Sequence, residues 1–145
     1  RGLAPCVLDL PLRHSRSVAA EQRAATKYHS GSLWSNTCCS HPRPGEETST
    51  AAARRLHEEM GLLTPLEHGF TFTYRAEVGH GLIEHELDHV FFGLAPGAPR
   101  PDPEEVRAWR FVEMDALSVE IGTHPERFTT WLRICWPLVM GRSPR

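Results

Sequence analysis

A strongly marked helix constrains the fold of this chain more than any other segment of its sequence. Residues 51–59 are good helix formers, Thr48 or Ser49 can cap the N-terminus, and Gly61 suits the C-terminal cap. One face, at a spacing of roughly 3.6 residues, carries Ala52, Leu56 and either Glu59 or Met60. The sequence therefore predicts an amphipathic helix that stops at Gly61.

Segments typical of strands surround this helix. The sequence predicts strands at residues 18–23, 71–76, 83–94 and 106–112, with a Gly-His-Gly turn at 79–81 and with Trp109 and Phe111 on one face of the last strand. It predicts loops at 28–44 and 96–103, a short helix at 115–121, and a last helix that starts at 123–125 and ends or kinks at Pro137. This order of elements indicates an α/β (α+β) fold in a single domain.

The overall composition excludes several classes of protein. A chain of 145 residues with 40% hydrophobic and 23% charged residues can bury a core and is neither disordered nor fibrous. Its net charge of -2 argues against nucleic-acid and membrane partners, and no apolar run reaches the roughly 18 to 20 residues that span a bilayer. The chain has no signal-peptide pattern and its four cysteines are not spaced like a secreted scaffold, so we expect a cytoplasmic protein with reduced thiols.

One predicted strand is strongly acidic, with the sequence Glu-His-Glu-Leu-Asp-His at residues 84–89. Alternation along a strand puts Glu84, Glu86 and Asp88 on one face and the two histidines on the other. Three carboxylates on one face repel each other unless a positive charge lies beside them. The pattern therefore indicates either a solvated acidic edge strand or a site for a divalent metal.

A pair of adjacent cysteines lies just before a histidine, in the segment Cys38-Cys39-Ser40-His41. Because cysteine behaves as a small hydrophobic residue, the pair can simply be buried in a loop. Alternatively, one thiol is reactive and works beside the imidazole, with a nearby metal or cation tuning either group. A Cys-x-x-Cys metal ribbon is excluded because the chain has no second cysteine pair.

The segment from Arg54 to Leu62 resembles the second half of the Nudix box, R-E-U-x-E-E-x-G-U, where U is apolar. In that motif, glutamates on a helix hold magnesium against a diphosphate, and Glu46 falls where the box has its first glutamate. Two positions depart from the box: Ser40 replaces a glycine, and Arg55 replaces a glutamate that helps bind metal in Nudix hydrolases. The alternative is an exposed helix with Arg–Glu pairs at i,i+4.

Taken in order, these segments resemble type I isopentenyl diphosphate isomerases of the Nudix superfamily. The resemblance runs from about Glu21 to Trp136, roughly four fifths of the chain, and its most specific stretch is Leu-Trp-Ser-Asn-Thr-Cys-Cys-Ser-His-Pro at residues 33–42. It implies a Nudix-like mixed β-sheet sandwiched by helices over residues 17–145. It also implies an isomerase that interconverts isopentenyl diphosphate and dimethylallyl diphosphate in isoprenoid biosynthesis, by protonation and deprotonation. Arg55 fits such an enzyme, which must not hydrolyse its diphosphate.

The same resemblance implies the roles of individual residues. The catalytic residues are Cys39, Glu86 and Tyr74, whose hydroxyl bonds to Glu86. The residues that contact the small-molecule diphosphate substrate are Arg23, Lys27 and Arg55 at its charged end and Trp131 at its hydrocarbon end. The ligands of a tightly bound divalent metal, Mn2+ or Zn2+, are His41, Glu84 and Glu86, and the residue that holds Mg2+ on the diphosphate is Glu59. We expect a monomer.

Residues 1–16 depart from the family and are interpreted as a divergent or truncated N-terminal segment. In the family, two further histidines upstream of Arg23 complete the metal site, and His14 lies too close to Arg23 to take the nearer position. With three ligands the metal is under-coordinated, which predicts impaired activity. The alternative functions are a Nudix pyrophosphohydrolase and a non-catalytic, degenerate Nudix domain that binds diphosphate.

Overall fold

A computed structural model describes residues 4–14, 16–27 and 29–142 of the chain. Its strands are β1 (Ala4–His14), β2 (Ser17–Arg23), β3 (Trp34–Ser35), β4 (Cys38–Ser40), β5 (Glu67–Glu77), β6 (Ile83–Leu94) and β7 (Val106–Glu113). Its helices are α1 (Thr48–Met60), α2 (Met114–Thr123) and α3 (Thr130–Arg142), with a short 3-10 turn at Pro125–Arg127. Within these ranges, no helix is both long enough and apolar enough to cross a bilayer.

The strands form one mixed sheet with β1 near its centre. The order along the sheet is β3-β2-β1-β6-β5, while β4 pairs with β1 and β7 pairs with β2. Strand β1 runs parallel to β6 and antiparallel to β2 and β4. The division of the chain at residue 17 stays a prediction, but the segment before it is a strand of the sheet.

Helices cover both faces of this sheet. Neighbouring residues of β6 point in opposite directions and therefore contact different helices. Phe91 packs against Ala51 and Ala52 of α1 on one face. Val90 packs on the other face, in a core that contains Leu117 of α2 and several buried residues of α3. The predicted Nudix-like sheet between helices is confirmed.

Helix α1 ends where the sequence predicted but begins differently. Gly61 has the left-handed φ of 65° and its N–H donates to the carbonyl of His57, which closes the last turn. At the other end the extended residue Glu47 takes the cap position, without a side-chain hydrogen bond. The prediction that Thr48 or Ser49 caps the helix is therefore wrong, since both lie inside its first turn.

The predicted strands agree with the structure, with one extension. Strand β5 begins at Glu67, four residues before the predicted 71, because it continues past an irregularity between His68 and Phe70 and stays paired with β6. The turn at residues 79–81 has positive φ at all three positions. The rings of Trp109 and Phe111 meet edge to face with centroids 5.2 Å apart, as expected for one face of β7.

The C-terminal region corrects the predicted last helix. Helix α2 continues to Thr123, and the proline after it starts a 3-10 turn rather than a helix. Phe128 then becomes extended and bridges to Trp34, so the last helix begins only at Thr130. Pro137 lies inside α3 and does not end it. The predicted loop at 28–44 also contains the two short strands β3 and β4.

Candidate active site

Most of the predicted site residues line one cavity of about 190 Å³. It lies where the end of β2, the loop after it, β4, α1, β6 and α3 meet. The residues that line it are Arg23, Lys27, His29, Cys39, Ser40, His41, Arg55, Glu84, Glu86 and Trp131. Tyr74 contacts this set through hydrogen bonds, whereas Glu59 lies outside the lining.

The buried side chain of Asn36 stabilises the segment before the cysteines by hydrogen bonds. Its Oδ1 accepts hydrogen bonds from Trp131 Nε1 at 3.1 Å and from Ser35 Oγ at 2.8 Å. Its amide nitrogen donates to the carbonyl of Cys38. One asparagine thus ties the indole of α3 to the cysteine strand, which explains why the motif needs an amide that donates and accepts at once.

The two cysteines of β4 point in opposite directions. Cys38 is fully buried and packs with Leu56 and Met60 of α1. Cys39 is partly exposed and lines the cavity. The alternation of side chains along a strand therefore leaves one thiol for packing and directs the other into the cavity.

His41, Glu84 and Glu86 form a compact group of potential metal ligands. One donor atom from each lies within 4.8 Å of the others, and His41 Nε2 is 2.7 Å from Glu86 Oε2. Burial, followed by the hydrogen bond with Glu86 and then the charge of Glu86, raises the pKa of Glu84 to about 7. Burial alone would also raise the pKa of Glu86, but the hydrogen bond from His41 holds it below its usual value. A cation would relieve this crowding of negative charge, so the residues fit a divalent metal.

Tyr74 joins the two carboxylates from the neighbouring strand. It lies opposite Glu86 in the register of β5 and β6. Its single hydroxyl hydrogen is shared between Glu86 Oε1 at 3.0 Å and Glu84 Oε1 at 3.1 Å, which both accept from it. Burial and then the charge of Glu86 raise the pKa of Tyr74 far above its usual value, so the hydroxyl stays protonated and acts as a donor.

Two of the predicted diphosphate contacts are joined by a carboxylate. Glu105 accepts from Lys27 Nζ and from Arg55 Nη2, both at 2.7 Å, through different oxygens. Arg55 Nε also donates to Ser40 Oγ at 3.1 Å, so the serine that departs from the Nudix box helps to orient this arginine. These contacts hold two cations at the wall of the cavity.

Arg23 and Trp131 form the buried part of the wall. The guanidinium of Arg23 is 5.1 Å from the centroid of the Trp131 ring, a cation–π distance. Its Nη2 donates to the carbonyl of His29 at 3.2 Å. Both side chains are almost completely buried, so their positions are set by packing.

The predicted magnesium ligand Glu59 is buried behind the cavity. Its Oε2 accepts from Arg55 Nη2 at 2.9 Å, and its carboxyl lies against that of Glu21. Burial raises the pKa of both carboxyls, in Glu21 together with the repulsion from Glu59. The structure therefore places Glu59 next to the basic wall but not at its surface.

Two residues of this site were not predicted from the sequence. His29 lines the cavity with its side chain 4% exposed, and Glu105 bridges the basic side chains. His29 follows Lys27 closely in a loop rich in Ser and Gly, but nothing in the sequence shows that the loop turns it inward. Glu105 is 78 positions from Lys27, a contact that no local pattern can reveal.

Comparison with known proteins gives related sequences and folds. The sequence profile of the NUDIX domain matches residues 6–132. The chain is 53% identical over 128 residues to isopentenyl-diphosphate Delta-isomerase 2 of Aromatoleum aromaticum, covering 88% of this chain and 67% of that protein. It is 46% identical over 137 residues to an isopentenyl-diphosphate Delta-isomerase of Rhodobacter capsulatus, covering 92% and 78% respectively.

The chain spans about two thirds of the length of the Aromatoleum aromaticum protein. The fold also resembles the crystal structure of a MutT protein from Methanosarcina mazei Go1, with a TM-score of 0.75 and 14% identity over 97% of this chain and 95% of that one. At this identity the likeness concerns the fold alone.

Proposed function

Because this chain belongs to the NUDIX domain family and, within it, to the isopentenyl-diphosphate Delta-isomerases, we propose that it interconverts isopentenyl diphosphate and dimethylallyl diphosphate. The observation that carries the proposal is the shared cavity. It combines the thiol of Cys39, the carboxylate of Glu86 and a wall of basic side chains, which are the groups that proton transfer on a diphosphate ester requires.

The reaction adds a proton to one carbon of the alkene and removes a proton from another, so the composition of the substrate does not change. Two proton-handling groups on opposite faces of the alkene are enough. We assign these roles to Cys39 and Glu86, with the Tyr74 hydroxyl orienting Glu86. Because an unactivated alkene is a weak base, the acid must act in a water-excluded pocket with its proton aimed at the carbon.

The intermediate resembles a tertiary carbocation, and Trp131 is proposed to stabilise it. The face of an indole attracts a cation by on the order of 1–2 kcal/mol when water is excluded. Trp131 is 1% exposed and its nitrogen is held by Asn36, so the ring keeps its position during the reaction.

His41, Glu84 and Glu86 are proposed to hold a divalent metal, Mn2+ or Zn2+. The positive charge it supplies would offset the two carboxylates and keep Glu86 oriented for proton transfer. If these three residues are its only protein ligands, the metal is under-coordinated, which predicts weak binding and impaired activity. Measurement of the zinc or manganese content of the purified chain tests this; full and tight occupancy would contradict it.

The basic wall is proposed to bind the diphosphate. Arg23, Lys27 and Arg55 offer charged donors, and arginine matches phosphate oxygens with two parallel hydrogen bonds. We assign Glu59 to the Mg2+ that accompanies the diphosphate. Since Glu59 is paired with Arg55, binding requires Arg55 to exchange this carboxylate for phosphate oxygens. The cytoplasmic location and the monomeric state remain predictions.

Incubation of the chain with isopentenyl diphosphate and Mg2+, followed by phosphorus and proton NMR, tests the proposed function. We expect dimethylallyl diphosphate with its diphosphate intact, and no product with Glu86→Gln. Release of phosphate would indicate a Nudix pyrophosphohydrolase instead. Binding of the substrate without any product would indicate a non-catalytic diphosphate-binding domain.

A further inference from the structure

We propose that His29 is a ligand of the divalent metal, in addition to His41, Glu84 and Glu86. The inference rests on the proposed function, because it concerns the metal of the same site. Nothing in the sequence resemblance assigns a role to His29, which the structure brings into the cavity beside this group.

The number of donor side chains in the metal-ligand group leaves room for a further ligand. Among the side chains that the structure describes, the metal-ligand group has one imidazole and two carboxylates. Zinc usually takes about four ligands and Mn2+ more, from imidazole and carboxylate donors among others. A second imidazole from the same cavity would give zinc a complete protein ligand set.

The distance between the His29 ring and the Glu84 carboxylate is also that of two ligands of one ion. His29 Nε2 lies 3.7 Å from Glu84 Oε1. This separation is longer than a hydrogen bond. Two donor atoms bound at about 2.1 Å to one ion are roughly 3 to 4 Å apart. The spacing of this pair therefore suits two donors that share a cation. His29 lies outside the group of three donor atoms that are all within 4.8 Å of one another, so coordination would bring its ring closer to that group.

Neighbouring side chains also fix the orientation of the His29 ring. His29 Nδ1 is 3.0 Å from Ser30 Oγ, which can accept a hydrogen from it and so leave Nε2, the nitrogen 3.7 Å from Glu84 Oε1, as the unprotonated ring atom. A histidine ligand commonly donates its other ring N–H in this way. The ring also meets Trp131 edge to face, with centroids 5.9 Å apart, which limits its rotation.

The loop that carries His29 is held in an unusual shape. Ser30 and Ser32 have φ values of 55° and 65°, which L-residues rarely adopt. Arg23 stabilises the loop by hydrogen bonds. Its Nη2 donates to the carbonyl of His29, and its backbone pairs with that of Ser32 and Leu33. Strain of this kind persists where the surrounding structure requires one conformation, and it is common at functional sites. Here it turns the His29 side chain away from solvent.

The test counts the imidazoles bound to Co2+, which replaces zinc in such sites and shifts the proton NMR signals of its ligands. Each coordinated imidazole contributes one shifted N–H signal that disappears in deuterated water. We expect two such signals from the unmodified chain and one each from His29→Ala and His41→Ala. His14→Ala is the matched control and should keep both signals. By calorimetry, His29→Ala should bind Zn2+ at least roughly 10-fold more weakly.

The inference would be overturned if the unmodified chain gave a single shifted N–H signal and His41→Ala lost that signal. This outcome can be observed without a folded His29 variant. Two signals that persist in a folded His29→Ala chain would overturn it as well. The isomerase assay on the same samples separates this inference from the proposed function. Turnover with one coordinated imidazole refutes only the role of His29, whereas two imidazoles without turnover refute only the isomerase.

Discussion

Adjacent residues of the site lie in different environments because successive side chains of a strand point to opposite faces of the sheet. Cys38 packs under α1 while Cys39 lines the cavity, although the two are adjacent and chemically identical. The same alternation on β6 directs Glu84 and Glu86 toward Tyr74. The chemistry of the site therefore depends on register, since a shift of one residue would remove Cys39 from the cavity.

Substitution of the two cysteines should separate chemistry from packing. Cys39→Ala should lower kcat for the isomerisation by roughly 1,000-fold or more, because it removes a group that handles a proton. Cys38→Ala should leave kcat nearly unchanged and lower the free energy of unfolding by about 1 kcal/mol, because it creates a small cavity in the core. Steady-state kinetics and urea denaturation measure both effects. Loss of activity in Cys38→Ala with activity retained in Cys39→Ala would reverse the assignment.

The individual site residues that belong to short sequence motifs could be predicted from the sequence. The residues that reach the site only through tertiary contacts could not. Cys39, His41 and Glu86 are recognisable because their spacing along the chain is short and specific. His29 and Glu105 acquire their places only from tertiary contacts, with Trp131 and Lys27 respectively. The burial of Glu59 behind Arg55 was also unpredictable, since helical spacing shows a shared face but not its depth.

Among the elements, α1 depends on the residue that ends it. Gly61→Ala should lower the free energy of unfolding by about 2 kcal/mol, because a left-handed φ is costly for a residue with a side chain. The new Cβ would also lie 2.7 Å from the carbonyl oxygen of Arg100. Urea denaturation measures the loss, with Gly97→Ala as the control at a position with open space. Equal stability of the two variants would contradict the assigned role of Gly61.

The segment before α1 is attached to it by the pair Glu46–Arg54. The hydrogen bond from Arg54, followed by that from the backbone of Arg43, lowers the pKa of Glu46 to about 2 from an ordinary 4.5. Its stabilising effect is therefore present above pH 4.5 and is lost as the pH falls toward 2. Thermal melts should show that Glu46→Gln is less stable than the unmodified chain at pH 6 and that the difference shrinks by pH 3.

Glu47→Gln is the matched control for this comparison, because it removes a neighbouring carboxylate outside the contact with Arg54. It should not reproduce the pH dependence. A difference for Glu46→Gln that stays constant from pH 6 to pH 3 would show that the pair does not contribute as proposed.

Elements with a long periodic pattern were predicted well, and those that need a partner were not. The bounds of β6 agree with the prediction because twelve residues between turn signals leave little choice. Strands β3 and β4 have two and three residues and exist only through pairing with β2 and β1. The 3-10 turn after α2 likewise depends on Phe128 reaching Trp34.

For the whole molecule, β1 is the strand that joins the two halves of the sheet. It lies between β2 and β6 and also pairs with the cysteine strand β4. Deletion of residues 1–14 should therefore abolish the cooperative thermal transition, because β2 and β6 lose the strand that joins them into one sheet. Deletion of residues 143–145 is the control. A folded chain after the first deletion would instead support residues 17–145 as an autonomous domain.

The architecture of the whole molecule was predictable from the sequence because the predicted helix, the predicted strands and the sequence motifs all indicated the same family. The place of β1 was not, since residues 4–14 have no motif and their pairing with β6 is set by partners more than 80 positions away. That strand nevertheless positions the site, because β4 with Cys39 and β6 with Glu86 pair on its two sides.

The most direct measurement of the central claim is deuterium incorporation. The chain is incubated with isopentenyl diphosphate and Mg2+ in deuterated water, and the isoprenoid diphosphates are analysed by NMR and mass spectrometry. Protonation of the alkene by a group in exchange with solvent predicts dimethylallyl diphosphate that carries deuterium. Its formation should stop in Cys39→Ala and Glu86→Gln. Dimethylallyl diphosphate without deuterium, or recovery of the substrate unchanged, would contradict the assigned isomerase.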